Sequence, residues 1–207
     1  MNYHETLRFA RRTLPHWLVA DASYFVTLRL AGTLPKAVIE AMQRERESVM
    51  EAEDARHELA QRQFVQIERL LDGDASNRLD LTVPEVARMC LANLDWLRKR
   101  GWRIFAATVL GNHVHLLLRS ENGRSRELLA ELDQYKGFTG REANRLLGRQ
   151  GRFWARDQFD HWLRDAGKFD ALVRYIARNS VKAGLVADWR EWPWTILEKP
   201  LKRICDV

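Results

Sequence analysis

His113 and His115 flank a single valine in the run His113-Val-His-Leu-Leu-Leu-Arg119, which has the composition of a β-strand. Side chains alternate faces along a strand, so both imidazoles project from one face, a geometry suited to gripping one metal ion. A third ligand must come from elsewhere in the chain. Two imidazoles and an oxygen donor suit Mn²⁺ or Zn²⁺, and Mg²⁺ less well unless a substrate phosphate completes its shell. The plainer reading of the same pair is two polar residues facing water from a half-exposed strand.

The chain has four tyrosines, few enough for each to be weighed as a nucleophile. Tyr3 is near the terminus and Tyr24 lies inside a strand-like run. Tyr135 is in register with Leu128 and Leu132 at i, i+4, i+7, in the middle of an apolar stripe, so it belongs to the core. Tyr175 is different: at about 100° per residue it lies roughly 110° from the centre of the stripe Phe169, Leu172, Val173, Ile176. From that flank it can reach a cleft, and Asn179, one turn on, shares its face. The plainer reading of Tyr175 is a half-buried surface aromatic.

The elements that must position these groups follow from composition and punctuation. Ser23-Tyr-Phe-Val-Thr-Leu-Arg-Leu30 reads as a strand ending at Gly32. From Pro35 to Leu71 there is no internal Gly or Pro and the composition is strongly helical. One straight helix of that length would be roughly 55 Å long, so a bend or a projecting helical hairpin is expected. Asp72–Asn77 is a loop, and Thr82-Val-Pro-Glu85 has capping-box spacing ahead of a helix running to about Arg100. Trp102–Leu110 and His113–Arg119 form a hairpin around Gly111-Asn112. Helices follow over about 125–147 and 168–179. This order predicts an α+β domain, an antiparallel sheet covered by helices, with one domain over residues 1–207 and a helical insertion at about 36–71.

A chain of 207 residues with 46% apolar and 30% charged residues has the balance of a globular protein with a sizeable core, which excludes intrinsic disorder. The net charge of +6 favours an anionic partner, and the excess sits in residues 101–207, with nineteen basic against thirteen acidic residues. Residues 36–71 carry net −2 and make a poor DNA surface. Between 149 and 164, Arg152, Arg156 and Arg164 alternate with Phe153, Trp154, Phe159 and Trp162, as in a groove that joins phosphate contacts to base stacking. The competing reading puts those aromatics in the core. Lys182 and Arg178 extend the basic face past Tyr175, and His161 is read as a structural histidine. Cys90 and Cys205 have no C-x-x-C spacing, which fits a reducing cytoplasm. No apolar run approaches the ~20 residues of a membrane span, so no membrane partner is expected.

Gly111-Asn-His-Val-His-Leu-Leu-Leu118 resembles the HUH metal motif of the REP-associated tyrosine transposases, within the HUH single-tyrosine transposase superfamily. The similarity extends through an ordered set of segments from Leu14 to about Trp194. These are Leu14-Pro-His16, Tyr24-Phe-Val-Thr-Leu-Arg29, Lys136 to Asn144, Phe153-Trp-Ala-Arg156, Phe159 to Asp165, Tyr175 to Leu185 and Trp192-Pro-Trp194. The resemblance implies a ferredoxin-like sheet with His113 and His115 on a central strand, Tyr175 on a facing helix as nucleophile, and Asn179 as third metal ligand. It further implies Mg²⁺ or Mn²⁺ as cofactor, and single-stranded or hairpin DNA as partner. The expected chemistry is nicking and joining at hairpin-forming palindromic repeats through a 5′-phosphotyrosine, by a monomer or homodimer. DNA contacts are expected from Arg152, Trp154, Arg156, Arg164 and Lys182. Two positions depart from the family pattern: Leu110-Gly111-Asn112 replaces Met-Pro-Asn, and Asn179-Ser180 replaces Asn-Pro. They motivate a second reading, a sequence-specific DNA-binding regulator with weakened catalysis. A third is an RNA-binding module, since ferredoxin-like sheets also bind RNA.

Overall fold

The computed structural model describes residues 5–11, 15–47, 53–73, 80–163 and 167–206. Tyr3, Arg164 and most of the predicted loop 72–77 lie outside them. The chain opens on a two-stranded antiparallel hairpin, β1 (Thr6–Arg11) and β2 (Pro15–Val19), ahead of the point where the sequence reading starts its first strand. Its exposed alternation is too charged to announce a strand; tertiary packing of Leu18 and Val19 into the main core holds it in place.

β3 (Ser23–Arg29) follows, then two helices, α1 (Lys36–Glu47) and α2 (Glu53–Asp72). The expected bend is therefore realised as a helical hairpin. Gln63 on α2 donates to the Met42 carbonyl and to Glu45, both at 3.0 Å, and Met42 packs with Ile67 and Leu71. The predicted helix to Arg100 is two, α3 (Pro84–Ala92) and α4 (Leu94–Lys99), broken at Asn93, whose side chain donates to the Met89 carbonyl. The capping box does not form. Val83 is the N-cap and makes no side-chain bond, because Pro84 takes the first helical position and needs no N–H partner there.

β4 (Trp102–Val109) and β5 (His113–Ser120) form the predicted hairpin. The chain enters it at Gly101, whose φ of 87° favours glycine and where a Cβ would crowd the Asn122 side chain. α5 (Leu128–Leu146), β6 (Phe159–Trp162), α6 (Gly167–Lys182), β7 (Thr195–Leu197) and α7 (Lys202–Cys205) complete the chain. Ser180 lets α6 continue to Lys182, three residues beyond the predicted end.

The five-stranded sheet has the order β6-β3-β5-β4-β7, every pair antiparallel. Leaving out edge strand β7, and counting β3, β4, β5 and β6 as one to four, this is the ferredoxin-like order 4-1-3-2, and the protein is α+β. Alternation then sorts the side chains. Tyr24, Val26, Leu28, Val114, Leu116 and Leu118 join the core with α3, α4 and α5. Phe25 and Leu117 point to the other face, where they pack with Val173, Ile176 and Ala177 of α6. His113 and His115 share that second face with Leu117, under α6 and α2. Both cysteines are buried and unbridged, and no helix among the described residues is long and apolar enough to cross a membrane.

His16 ties the N-terminal hairpin to the far edge of the sheet. It is fully buried, with Nε2 3.2 Å from Asp157 and Nδ1 bonded to Asp160 on β6. Burial alone would lower its pKa, but the two carboxylates outweigh it and raise the pKa from 6.5 to about 9. The stabilisation from this cation is thus complete below pH 6.5 and is lost as pH rises through about 9. His16→Gln is expected to lower unfolding free energy by about 3–5 kcal/mol near pH 6, the scale of a broken buried pair. Denaturant titrations at pH 6, 8 and 10 should show the gap to wild type narrowing; a constant gap would mean that His16 is neutral.

Candidate active site

The β4–β5 turn builds the first ligand. Leu110 N–H donates to the His113 carbonyl at 2.9 Å, and Asn112, buried in the turn, accepts from His113 Nδ1 at 2.6 Å. The Asn112 amide donates in turn to the Leu71 carbonyl at the end of α2 (3.1 Å), so the turn is anchored to that helix. Gly111 in place of proline leaves these bonds intact. With Nδ1 engaged, His113 presents Nε2 to the interior.

His115 is held by the neighbouring strand. Thr27 stands directly opposite it in register, and its hydroxyl donates to Glu68 Oε1 (3.1 Å) while lying 3.0 Å from His115 Nδ1. Since the hydroxyl proton goes to Glu68, the oxygen accepts from Nδ1–H, and His115 also presents Nε2. The two Nε2 atoms are 2.9 Å apart, and His115 Nε2 is 3.1 Å from Glu68 Oε2. Glu68, His113 and His115 are all buried and offer one ligand atom each within 4.8 Å of one another. Two ring nitrogens and a carboxylate oxygen converging on one point match the mixed donor set of a Mn²⁺ or Zn²⁺ site.

The tyrosine helix closes the site. Tyr175 Oη donates a short hydrogen bond to Glu68 Oε2, and its ring centroid is 5.6 Å from that of His115. Asn179 is 1% exposed, and neither its amide oxygen nor its nitrogen has a hydrogen-bond partner. A buried amide with both polar atoms orphaned costs free energy unless a ligand satisfies it, and this one stands one helical turn from Tyr175 on the same face of α6. Lys182 Nζ is 5.4 Å from the Tyr175 ring centroid and pairs with Asp72, joining the ends of α6 and α2. The other described tyrosines are spent on structure: Tyr24 bonds Val19, and Tyr135 donates to the Cys90 carbonyl at 2.8 Å.

Electrostatics favour a metal-ready, protonated-phenol state. Burial and then His115 hold His113 down at about 3, so it is a neutral ligand at physiological pH. Burial alone would raise the Glu68 pKa, but His115, His113 and the Tyr175 hydrogen bond keep it at about 2, a carboxylate. Tyr175 is raised well above the usual phenol range, by burial first and then by the Glu68 charge.

Of the residues singled out from sequence, His113, His115, Tyr175 and Asn179 come together here. Arg152 and Arg156 are exposed on the segment before β6. Arg164 lies outside the described residues. Trp154 is a correction: it is 4% exposed in the main core, with Nε1 donating to Thr139 Oγ1 at 2.9 Å. Phe153, Phe159 and Trp162 are buried with it or nearby, so these aromatics pack rather than offer stacking faces. Trp154→Ala is therefore expected to cost about 3–5 kcal/mol of stability, read as a lowered melting temperature. A variant with unchanged melting but weaker DNA binding would restore the stacking role.

Glu68 was missed in the sequence because it stood among many acidic residues of a helical segment with net −2. A signal was present: Glu68 interrupts the apolar stripe Phe64, Ile67, Leu71, where a carboxylate must find a buried partner.

The chain thus combines a ferredoxin-like sheet, a buried His-x-His pair on its central strand and a tyrosine on the facing helix. Comparison with protein-family models gives no match, and neither does comparison with curated proteins. Among solved structures the chain is similar to a REP-associated tyrosine transposase bound to a REP hairpin, at 15% identity and a TM-score of 0.50, over 91% of this chain and 81% of that one. The fold is that of the REP-associated tyrosine transposase.

Proposed function

We propose that the protein is a metal-dependent, single-tyrosine DNA nicking and joining enzyme acting on hairpin-forming palindromic single strands, with residues 1–207 working as one HUH transposase-like domain. The observation that supports this reading is the hydrogen bond from the Tyr175 phenol to Glu68, which sets the phenol beside the His113–His115–Glu68 cluster, where a nucleophile would be needed. The hairpin bound by the similar transposase supports DNA as partner.

His113 and His115 would hold Mn²⁺ or Mg²⁺ together with oxygens from Glu68 and Asn179, whose orphaned amide suits that role. Such an ion supplies charge neutralisation at a non-bridging phosphate oxygen. The residues do the rest. Tyr175 Oη, oriented by the hydrogen bond it donates to Glu68, attacks phosphorus in line, its proton ending on the departing O3′. The phosphorus–O3′ bond breaks, leaving a 5′-phosphotyrosine and a 3′-hydroxyl, and the retained bond energy allows rejoining. The test is incubation of labelled hairpin DNA from the flanks of the protein's own gene with Mn²⁺ or Mg²⁺, in search of a denaturation-resistant protein–DNA adduct. RNA of the same sequence, bound tenfold more tightly and left uncut, would favour the RNA-binding module instead.

Arg152, Arg156, Arg164 and Lys182 are proposed to contact phosphates. Hairpin binding should then fall with salt at a log–log slope of about −0.7 per single-stranded phosphate neutralised. Each exchange of Arg152 or Arg156 for alanine is expected to flatten that slope by up to about one such step, measured by fluorescence anisotropy between low and moderate salt. An unchanged slope would remove that arginine from the interface.

A further inference from the structure

The helical hairpin inserted after β3 carries net −2 over residues 36–71 and makes a poor DNA surface, yet its second helix lies against both candidate metal histidines. Two hydrogen-bonded relays run from α2 to the ring nitrogens that a metal would leave unused. In the first, Glu68 Oε1 accepts from the Thr27 hydroxyl at 3.1 Å, and the Thr27 oxygen lies 3.0 Å from His115 Nδ1. In the second, the Leu71 carbonyl accepts from the Asn112 amide at 3.1 Å, and the Asn112 oxygen lies 2.6 Å from His113 Nδ1.

The polarity of both relays is set at their α2 ends. A carboxylate and a backbone carbonyl only accept, whereas a hydroxyl has one proton to give and a side-chain amide has separate donor and acceptor ends. Glu68 therefore takes the single Thr27 proton, and Leu71 takes an amide proton of Asn112. What faces each imidazole is then an oxygen lone pair, which calls for an N–H at Nδ1. An imidazole that keeps its proton on Nδ1 offers its lone pair at Nε2, the atom that can bind a metal. The two Nε2 atoms are the ones that converge, 2.9 Å apart.

Thr27 is the member of these relays whose hydrogen bond can be separated from its packing. It is fully buried and stands directly opposite His115 on β3. Thr108 is equally buried and stands opposite His115 on β4, but its hydroxyl pairs with that of Thr195 at 2.7 Å. Two threonines thus flank one imidazole on the same face of the sheet. One bonds the ring and the other bonds away from it.

We propose that Thr27 is a positioning residue of the metal centre, its hydroxyl holding His115 in the Nδ1–H form because Glu68 commits the hydroxyl proton, and that the inserted hairpin serves to complete this centre. The proposal rests on the metal reading above and gives α2 two tasks there, an oxygen ligand and the orientation of both histidines.

The test is the Mn²⁺ affinity of the protein without DNA, read from the loss of the free ion's paramagnetic resonance signal. Thr27→Val keeps volume and β-branching and deletes the oxygen, and it is expected to weaken Mn²⁺ binding by about 10–100-fold. Thr27→Ser, which restores the hydroxyl, should return the affinity to near that of wild type, and Thr108→Val should leave it unchanged. Melting curves identify the folded variants, and Thr27→Ala gives the same comparison should the valine variant fail to fold. In a double-mutant cycle with Glu68→Gln the losses should be less than multiplicative, because both changes break one relay. Wild-type affinity in folded Thr27→Val, or a serine that does not rescue, overturns the positioning role while leaving the metal site standing. An equal loss in Thr108→Val overturns it too, since any buried hydroxyl beside His115 would then do the same. Losses that multiply with Glu68→Gln detach Thr27 from α2 and overturn the role given to the inserted hairpin. Wild type that takes up no Mn²⁺ removes the metal reading and this inference together.

Discussion

Tyr175→Phe is expected to abolish both the covalent adduct and strand cleavage, by roughly 10³-fold or more, the scale of removing a covalent nucleophile. Hairpin binding should stay within a few-fold, because only the phenolic oxygen is lost and the arginines are untouched. The fold should survive as well: the ring keeps its packing against Phe25 and His115, while Glu68 retains His115 and Thr27 as partners. The control is Tyr135→Phe, whose hydroxyl donates to the Cys90 carbonyl in the core, so it should cleave normally at some cost in stability. A dead Tyr135→Phe beside an active Tyr175→Phe would invert the assignment of the nucleophile. Full cleavage by both would exclude tyrosine chemistry.

Replacing His113 or His115 with alanine is expected to eliminate cleavage at every Mn²⁺ concentration, since either change removes an Nε2 donor from the centre of the cluster. Asn179→Ala should behave differently, with activity partly recovered at about 10-fold or more higher Mn²⁺, because in the proposed site its oxygen would contribute affinity more than geometry. Glu68→Gln keeps an oxygen but loses the charge. It should raise the Mn²⁺ requirement. A second readout is independent of turnover: Mn²⁺ should raise the melting temperature of wild type but not of His113→Ala, as ligand linkage requires. Equal cleavage in EDTA by wild type and His115→Ala would refute metal dependence.

Much of this architecture was written locally. A period of two placed both imidazoles on one face without reference to any other element. The helical stripe separated Tyr175 from Tyr135, and the structure sends one to the cluster and the other to the core. The order of strands and helices was enough for an α+β domain with an antiparallel sheet, and the unbroken composition of residues 36–71 was enough for a helical segment that bends or doubles back, without deciding which. Local signals failed where a partner from a distant element decided the outcome. The capping box lost to a proline at the first helical position, and the helix through Asn93 broke where its side chain turned back onto the Met89 carbonyl.

What the sequence determined by itself was the inventory: a metal-competent histidine pair, one tyrosine off the apolar stripe with an amide beside it, and an excess of basic charge in the second half. What only the tertiary structure decided was the company each residue keeps. Glu68 reaches the histidines because α2 folds back over the sheet, 45 residues along the chain from His113, and no periodicity encodes that return. Trp154 went to the core for the same reason: local spacing sets the direction in which a side chain leaves its own strand or helix, whereas burial and pairing depend on what packs against that face.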